Sequence, residues 1–465
     1  MTDPGIDRPL VVLANRLPVG KVGGEWRASA GGLVTALRPV MERHSGAWVG
    51  WNGGSDDVPR RTKDFDIDLL PVDLTRSEVQ AYYHGFSNRT IWPLFHDLVR
   101  PPVFNRTWWD AYREVNRRFV QCTLGVKPSG RRAPLLWVQD YHLMLAPAFL
   151  REARPRSLIS FFLHIPWPPP ELFMRLPWRD ELLHGLLGAD VLSFHTDRYR
   201  KNFVRTVGRT LDDVTVKGKR IEMADGREVL TSANPISIDA HDFAEAARSN
   251  EVEQELGRLR KQFSGRRVLV GVDRLDYTKG IRHRLQAIEL LLERRSDLRT
   301  RLVFLQIAVP SRGSVSEYRE LRADIEQMIG RINGRFTEPG EDVPVHYLHR
   351  GVARNRLIAY YRLADAMLVT PLKDGMNLVA KEYVVCQDAT GGTGALVLSE
   401  FTGAALELPE ALSSNPYDVE GLAARIRESL ELSDEECRRR LRAMAGRVKR
   451  NDVFKWVERE LKEVG

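Results

Sequence analysis

Polar side chains follow several predicted buried strands, at the point where each strand ends. They are Arg16 after "VVLAN", Asp140 after "LLWVQ", His164 after "SFFL", Arg274 and Lys279 after "VGVD", and Arg312 after "LQIAV". Taken singly, each would most often be a structural salt bridge or a helix cap. Together they place four cations at strand ends, and Arg274 and Lys279 share one loop. Such a pair suits a diphosphate, because both cations can donate to the oxygens between them.

The stretch "VTPLKDGMNLVAKEY" predicts a strand that ends at Pro371, a glycine-containing turn and a helix that begins near Asn377. Amides at a helix start can hold an anion or sugar hydroxyls without any side chain. On this helix Glu382 shares a stripe with three apolar residues, Leu378, Val379 and Cys386. A buried carboxylate needs a partner. That partner is either an internal arginine or, as we favour, a polyhydroxyl ligand such as ribose.

His164 stands between a buried strand and the proline-rich loop "IPWPPP". A histidine in this place is either a satisfied core residue or a working one. Because it ends a strand at the edge where ligands bind, and because the prolines fix a rigid loop after it, we favour the working role.

Strands rich in Val, Leu, Ile and Phe alternate with helical segments along the chain, and the alternation restarts after Pro235. Continuous apolar strands between helices predict parallel sheets covered on both faces. We therefore predict an α/β protein with two Rossmann-like doubly wound domains, 1–235 and 236–450, divided at "SANPISID". Ligands of such sheets bind beyond the carboxyl ends of the strands, so two facing domains would form a cleft there.

The composition excludes several classes of protein. The 465 residues, 43% hydrophobic and 28% charged, can bury a sizeable core. Neither a membrane span nor a signal peptide is expected from the length of the apolar runs. Three scattered cysteines, Cys122, Cys386 and Cys437, argue against disulfides or a zinc site and predict a cytoplasmic protein. The charge of +8 accompanies no basic stripe interleaved with aromatics, so we expect small phosphorylated ligands and no nucleic acid.

Other motifs carry less weight. "DFDID" at 64–68 resembles a metal motif, but its alternation is typical of a half-buried strand, so we predict no metal there. "GGTGAL" precedes a strand instead of following one and so does not indicate dinucleotide binding. We predict that Trp48 is core and that Trp51, just beyond a strand, lines a ligand site. Asp140 and Asp374 could hydrolyse a glycoside only at a suitable separation, which the sequence does not fix.

Nine segments occur in the order found in trehalose-6-phosphate synthases. They are "NRLP", "ASAGGLVTAL", "YYHGFSNRTIWP", "VQDYHL", "FFLHIPWP", "VDRLDYTKG", "PSRG", "RINGRF" and "DGMNLVAKEY". The resemblance runs from about Val11 to the C-terminal helix, and the C-terminal region resembles that of the actinobacterial members. These enzymes are retaining glycosyltransferases of family 20 with the GT-B fold. The resemblance also implies a C-terminal helix, 451–465, that packs back on the first domain.

The resemblance implies an acceptor site for glucose 6-phosphate. Its phosphate would be held by the residues that match the family's phosphate-binding set, namely Arg16, Tyr83, Trp92 and Arg312. Asp140 and Trp51 would contact the sugar of that acceptor.

The resemblance likewise implies a donor site. Arg274 and Lys279 would hold the diphosphate, and the backbone of Gly32 would approach the donor phosphates. Donor glucose would meet the turn and helix start, namely Asp374, Gly375, Met376, Asn377, Leu378 and Val379, and Glu382 would bind the ribose. His164 matches a histidine that contacts the donor glucose, through its side chain or its backbone. The implied catalytic set is therefore Asp140, His164, Arg274 and Lys279, with a donor phosphate oxygen as the proton acceptor.

The implied reaction is transfer of glucose, with retention, from a nucleoside diphosphate to glucose 6-phosphate, as the first step of trehalose biosynthesis. No metal or cofactor is implied, and we expect a homo-oligomer, either a dimer or a tetramer. The sequence does not select among uracil, guanine and adenine in the donor. The absence of an Asp-x-Asp-Gly-Thr motif predicts no phosphatase activity, and the acceptor set favours a hexose phosphate over the acceptors of related enzymes.

Two alternatives belong to other functional classes. A binding or regulatory protein without turnover would be expected to lack some of Arg274, Lys279, Asp374 and Glu382, and all four are present. A nucleotide-sugar epimerase or hydrolase would not need a site for an acceptor phosphate.

Overall fold

The computed structural model describes residues 9–22, 25–28, 34, 37–38, 41, 46–55, 57–62, 67–126, 133–311 and 316–464. The predicted site residues Gly32 and Arg312, and residues 64–66 of "DFDID", lie outside this part of the chain. The chain divides into two compact units, Met1–Ile236 with Val453–Gly465, and Ser237–Asp452. Within the described residues no helix is both long and apolar enough to cross a membrane.

The strands follow the apolar runs of the sequence. They are β1 (Leu10–Arg16), β2 (Val19–Val22), β3 (Glu25–Ala28), β4 (Gly46–Trp51), β5 (Asp68–Val72), β6 (Leu135–Gln139), β7 (Leu158–Leu163), β8 (Val191–Phe194), β9 (Val214–Lys217), β10 (Arg220–Met223), β11 (Glu228–Ala233), β12 (Arg267–Arg274), β13 (Leu302–Val309), β14 (Val345–Leu348), β15 (Ala366–Val369), β16 (Ala395–Ser399) and β17 (Leu412–Ser414).

Helices connect most of these strands. The α-helices are α1 (Arg76–Glu78), α2 (Trp92–Phe95), α3 (Arg106–Leu124), α4 (Ala146–Ala153), α5 (Pro170–Phe173), α6 (Arg179–Leu186), α7 (Asp197–Thr210), α8 (Ala240–Ala247), α9 (Asn250–Gln262), α10 (Ile281–Arg294), α11 (Ser316–Phe336), α12 (Arg354–Leu363), α13 (Leu378–Ala389), α14 (Ala404–Glu407), α15 (Val419–Glu431), α16 (Asp434–Arg450) and α17 (Val453–Val464). A π-helix spans Val79–Ile91, and short 3₁₀ turns span Tyr141–Leu143, Tyr277–Lys279 and Ser296–Leu298.

In the first unit, one sheet has the strand order β5-β4-β1-β6-β7-β8-β11-β10-β9. The pairs from β5 to β11 are parallel, whereas β10 and β9 add an antiparallel edge. Residues Val11, Val12 and Leu13 of β1 and the whole of β6 are buried, because helices cover both faces of a doubly wound sheet. The carboxyl ends of β1, β4, β6 and β7 therefore lie along one edge.

In the second unit, the sheet order is β14-β13-β12-β15-β16-β17, and its pairs are all parallel. The order reverses between β12 and β15, which makes this the topological switch point where ligands of such sheets bind. Both units are thus α/β with parallel sheets, which confirms the predicted fold class.

Two strand ends differ from the sequence prediction. β15 ends at Val369, two residues before Pro371, because a proline has no N–H to donate to a sheet ladder. Trp51 is the last residue of β4 and not a residue beyond it.

In "DFDID" the described part begins with buried Ile67, and β5 starts at Asp68, whose carboxylate pairs with Arg60 and Arg61.

The last helix, α17, belongs to the first unit and packs against its sheet. The Trp456 ring lies 5.3 Å from that of Trp137 and 5.1 Å from that of Phe162. Beside it the fully buried carboxylate of Glu460 accepts hydrogen bonds from Ser160 at 3.1 Å and Asn234 at 3.0 Å. A polar contact is thus enclosed between this helix and the sheet.

Candidate active site

In the first unit, the predicted acceptor residue Arg16 lies over two aromatic rings. Arg16 and Trp51 end two neighbouring strands and are paired in register. The guanidinium carbon of exposed Arg16 lies 4.5 Å from the ring centroid of Trp51 and 5.5 Å from that of Tyr83. Cation–π contacts of this kind hold a guanidinium in place while its N–H groups stay available to an anion. Trp48 instead is buried, and its indole N–H donates to the Arg16 carbonyl at 3.0 Å.

An aromatic cluster joins Tyr83 to the other predicted acceptor residues. Tyr83 stacks on His142, with ring centroids 5.8 Å apart, and His142 lies 3.9 Å from the ring of Tyr141. The Tyr141 ring is 5.7 Å from that of Trp92, and Nδ1 of His142 is 4.0 Å from a carboxylate oxygen of Asp140. The structure therefore brings these predicted residues together through His142, which the sequence reasoning did not select.

The π-helix Val79–Ile91 positions Tyr83 in this cluster. Asn88 donates a hydrogen bond to the Tyr83 carbonyl at 2.7 Å and accepts one from the Tyr141 hydroxyl at 3.0 Å. Gly85 is required here because a Cβ atom would come within 2.6 Å of the Trp108 ring. π-Helical segments are rare and are frequently found at functional sites.

Asp140 has an unusual backbone conformation, with φ of 71°. A non-glycine residue in this region is uncommon and costs on the order of 1–3 kcal/mol, which the surrounding contacts must offset. Two such contacts are present. The Asp140 amide donates to the Phe162 carbonyl at 2.8 Å, and its carboxylate accepts from the His164 amide at 3.2 Å. Residues held in this way are typical of ligand sites.

His164 follows β7 and is held by neighbours on three sides. Its Nε2 lies 2.8 Å from Oε1 of Gln139, and its carbonyl is 3.2 Å from Nε2 of His195. Its ring lies 4.6 Å from that of Phe162. Burial, followed by the nearby His195, holds the pKa of His164 well below its usual value. The imidazole is therefore neutral at physiological pH, which does not suit a cationic general acid.

In the second unit, a buried ion pair joins two predicted donor residues from different loops. Nζ of Lys279 is 2.6 Å from Oδ2 of Asp374. Lys279 belongs to the loop after β12 and Asp374 to the loop after β15, the two strands at the switch point. Gly280 follows with φ of 67°, and a Cβ atom there would lie 2.2 Å from the Thr370 carbonyl oxygen. The close approach of the two loops thus requires glycine. Arg274 ends β12 and is exposed.

A buried hydrogen-bond network beneath these loops holds them in position relative to each other. The guanidinium of fully buried Arg284 contacts Asp273 at 2.7 Å, Gln306 at 2.7 Å and Thr370 at 3.0 Å. Strands β12 and β13 and the residue that follows β15 are thereby linked through one side chain. Arg284 was not predicted from the sequence, since an arginine one turn into a helix is usually solvated.

The turn that precedes α13 contains further residues of the predicted donor site. Asn377 caps the helix by accepting from the Ala380 amide at 3.2 Å, and its Nδ2 donates to Asp374 at 3.1 Å. Its φ of 85° is positive, as at Asp140. The predicted residues Gly375 and Met376 are buried, while Leu378 and Val379 in the first helical turn are partly exposed. Because the first amides of a helix lack intrahelical acceptors, this turn can bind an anion or hydroxyls.

Glu382 lies on the partly exposed face of α13 and receives a hydrogen bond from the Tyr361 hydroxyl at 2.7 Å. No cation lies within ion-pair distance of it among the described residues, so its partner in the protein is a tyrosine and not the arginine considered above. Desolvation raises the pKa of Glu382, and the Tyr361 hydrogen bond opposes that rise. Tyr361 carries no sequence signal, because it contacts Glu382 from another helix.

Metal ligands do not converge in the described part of either unit, where no group of three or more His, Cys, Asp or Glu side chains could hold an ion.

Two doubly wound α/β units with cations in the loops at their strand ends are the architecture of GT-B glycosyltransferases. A model of glycosyltransferase family 20 matches residues 9–465. The chain is 48% identical over 464 residues to a trehalose-6-phosphate synthase of Mycobacterium avium (strain 104), with 96% of this chain and 93% of the relative covered. The chain belongs to glycosyltransferase family 20, which confirms the family predicted from its motifs.

Solved structures agree with this assignment. An alpha,alpha-trehalose-phosphate synthase (UDP-forming) of Burkholderia xenovorans, in complex with glucose-6-phosphate, is similar with a TM-score of 0.89 and 34% identity, covering 98% of this chain and 99% of that one. The corresponding protein of Burkholderia vietnamiensis is similar with a TM-score of 0.90 and 36% identity, covering 98% of each chain.

Proposed function

We propose that this chain transfers glucose, with retention of configuration, from a nucleoside-diphosphate glucose to glucose 6-phosphate. The products are α,α-trehalose 6-phosphate and the nucleoside diphosphate. The observation that carries the proposal is the Lys279–Asp374 contact at the start of α13, because it unites the groups expected to bind a diphosphate and a glucose. The Mycobacterium and Burkholderia relatives are trehalose-phosphate synthases, which supports the same activity here.

In the donor site, Lys279 and Arg274 would bind the diphosphate, with the backbone of Gly32 beside it. Lys279 is neutralised by Asp374 in the present structure, so the donor must exchange this ion pair for its own phosphate oxygens. The released Asp374, with Gly375, Met376, Asn377, Leu378 and Val379 at the helix start, would then accept and donate to the sugar hydroxyls. Glu382, held by Tyr361, would bind the ribose hydroxyls.

In the acceptor site, Arg16 would bind the phosphate of glucose 6-phosphate together with Tyr83, Trp92 and Arg312. The aromatic support of Arg16 favours this role, because a cation held over two rings is oriented before the ligand arrives. Asp140 and Trp51 would contact the sugar of the acceptor.

In the proposed reaction these residues would position the two substrates and stabilise the charge on the leaving group. The bond from the glucose anomeric carbon to the diphosphate oxygen breaks, and a bond to the acceptor's anomeric hydroxyl oxygen forms on the same face. The hydroxyl proton passes to the departing phosphate oxygen. Lys279 and Arg274 would stabilise the negative charge that develops on that oxygen, a contribution commonly worth on the order of 10²–10³ in rate for one donor group. Neutral His164 would contact the donor glucose without taking the proton.

The test supplies UDP-, GDP- and ADP-glucose in turn with glucose 6-phosphate and follows product by NMR, where the α,α-1,1 linkage and the retained phosphate are both visible. UDP-glucose is the first donor to try, because the Burkholderia relatives are UDP-forming. Trehalose 6-phosphate from at least one donor supports the proposal. Binding of donor and acceptor without product from any of the three would overturn it in favour of a binding protein.

We also propose a cytoplasmic enzyme that needs no metal or cofactor and assembles as a dimer or tetramer. Light scattering on the purified chain gives the number of subunits, and a monomer at micromolar concentration would contradict the last proposal.

A further inference from the structure

A wholly buried glutamine contacts the ring of His164. Gln139 is the last residue of β6 and has no exposed surface, and its Oε1 lies 2.8 Å from Nε2 of His164. An amide oxygen can only accept a hydrogen bond. With Oε1 of Gln139 in this place, Nε2 of His164 carries the proton and donates it to Gln139.

Asp140, the residue after Gln139, holds the backbone of His164. The amide of His164 donates to the carboxylate of Asp140 at 3.2 Å, directly after Gln139 in the sequence. On the opposite side, Nε2 of His195 lies 3.2 Å from the His164 carbonyl, and Nδ1 of His195 lies 3.5 Å from the amide of Ile236. Position is thus fixed by the backbone contacts, and the hydrogen on the ring is fixed by Gln139.

We propose that Gln139 is a positioning residue that keeps His164 in the neutral Nε2–H tautomer, so that Nδ1 accepts a hydrogen bond from a hydroxyl of the donor sugar. The proposal rests on the proposed function for the identity of the ligand, but the tautomer itself is a property of the free protein. The tautomer decides recognition, because a ring with hydrogen on Nδ1 would offer a donor where this one offers an acceptor.

The surroundings of the ring support a neutral imidazole. Among the residues that the structure describes, the titratable side chains in contact with His164 are His195, near its ring and its carbonyl, and Asp140, whose carboxylate accepts a hydrogen bond from the His164 amide. Burial and His195 both lower the pKa of His164, so the neutral form persists through the physiological range. A neutral imidazole has one donor and one acceptor nitrogen, and the Gln139 contact determines which is which.

The direct experiment is ¹⁵N NMR of the full chain labelled at histidine, with the His164→Gln variant used to identify the His164 signals. We expect a protonated Nε2 and an unprotonated Nδ1 at neutral pH. Hydrogen on Nδ1, or a charged ring, in the unaltered protein would overturn the proposal whatever the enzyme's activity. A failure of the proposed function would instead show as absence of product from all donors, with the tautomer unchanged.

Gln139→Met removes the hydrogen-bond acceptor and keeps a side chain of similar volume. The measurement compares the effect of this variant on the kinetics of the donor with its effect on the kinetics of the acceptor. We expect kcat/KM for the donor to fall about tenfold, as for the loss of one hydrogen bond, with the KM for glucose 6-phosphate unchanged. The His164 signals should shift toward a mixture of tautomers. Gln387→Met is the matched control, because the side chain of Gln387 is also buried but bonds to the backbone groups of Tyr361, Ala364 and Gly394. It should lower stability without altering the His164 signals.

Gln139→Glu supplies a conservative rescue and covers the case in which the methionine variant folds poorly. A carboxylate still accepts from Nε2–H, so donor kcat/KM at alkaline pH should exceed that of Gln139→Met. The added charge should raise the pKa of His164, so that activity falls toward acidic pH where the unaltered enzyme stays level. A Gln139→Glu variant with the pH profile of the unaltered enzyme, or a Gln139→Met variant that affects both substrates equally, would contradict the assigned role.

Discussion

Replacing Glu460 by glutamine should change how the stability of this protein depends on pH. The Glu460 carboxyl lies between α17 and the first sheet, has no exposed surface and is bonded to the neutral side chains of Ser160 and Asn234. Desolvation, the largest cause, raises its pKa from 4.5 to about 7, and the negative charge of Glu463 adds to the rise. In the folded chain Glu460 therefore keeps its proton up to about neutral pH.

The magnitude follows from linkage between protonation and folding. Between the unfolded value of 4.5 and the folded value of about 7, the folded state binds a proton that the unfolded state has released. The free energy of unfolding must therefore decrease as pH rises through this window, and one pKa unit corresponds to about 1.4 kcal/mol. The loss at Glu460 amounts to about 3 kcal/mol by pH 8. Glutamine resembles the protonated acid and does not titrate, so Glu460→Gln should avoid this loss.

The assay is urea unfolding of the two proteins, followed by circular dichroism from pH 5 to pH 8. In the difference between the two free energies of unfolding, the contributions of histidines and other groups that titrate in both proteins cancel. Relative to the unaltered chain, the variant should gain little stability at pH 5 and about 2–3 kcal/mol at pH 8. Glu458→Gln is a suitable control, because Glu458 lies on the same helix but forms surface ion pairs with Lys455 and Lys462. A difference for Glu460→Gln that is the same at every pH would refute the reasoning.

Three further predictions concern the proposed site. Lys279→Met should lower kcat by about 10²–10³-fold. Arg282→Met is the control and should leave kcat unchanged, because it breaks an exposed ion pair with Asp324. Equal effects of the two variants on kcat would contradict a role for Lys279 in charge stabilisation. Tyr361→Phe removes a hydrogen bond that lowers the pKa of Glu382, so the KM for the donor should rise about 3–10-fold and rise further as pH is lowered from 8 to 6; a pH-independent change would argue against this coupling. Treatment with EDTA should not reduce the initial rate, since cations and helix amides are proposed to bind the diphosphate in place of a metal. Restoration of a lost rate by added Mg²⁺ would contradict that proposal.

The fold and the strand-end residues could be predicted because their signals are local. An apolar run followed by a polar residue indicates both a buried strand and its ligand-facing end, as at Asp140 and His164. The strand end at Pro371 was placed wrongly, because the apolar run continues past the last residue that can join the ladder. The antiparallel edge of β9 and β10 was not predicted, because these two strands are only 4 residues long each and their alternation is too short to indicate a strand.

Contacts between distant residues could not be predicted in the same way. Lys279 and Asp374 were each selected, but their ion pair joins positions 95 residues apart and depends on the packing of two loops. Gln139 and Tyr361 resemble ordinary polar residues in the sequence, and only the structure shows that each holds a predicted ligand-binding side chain. The π-helix around Tyr83 likewise depends on the tertiary contacts of Asn88.

The placement of α17 bears on the biosynthesis of the chain. On the ribosome, the sheet strands β1 to β11 emerge first, and α17 follows only after the whole of Ser237–Asp452 has been made. Until then the face of β6 and β7 that receives Trp456 and Glu460 lacks its cover, and its tryptophan and phenylalanine rings are exposed to other nascent chains. The first unit is thus the earliest to be translated but the last to be completed, so an interval in which part of its apolar sheet face is uncovered during synthesis follows from its topology.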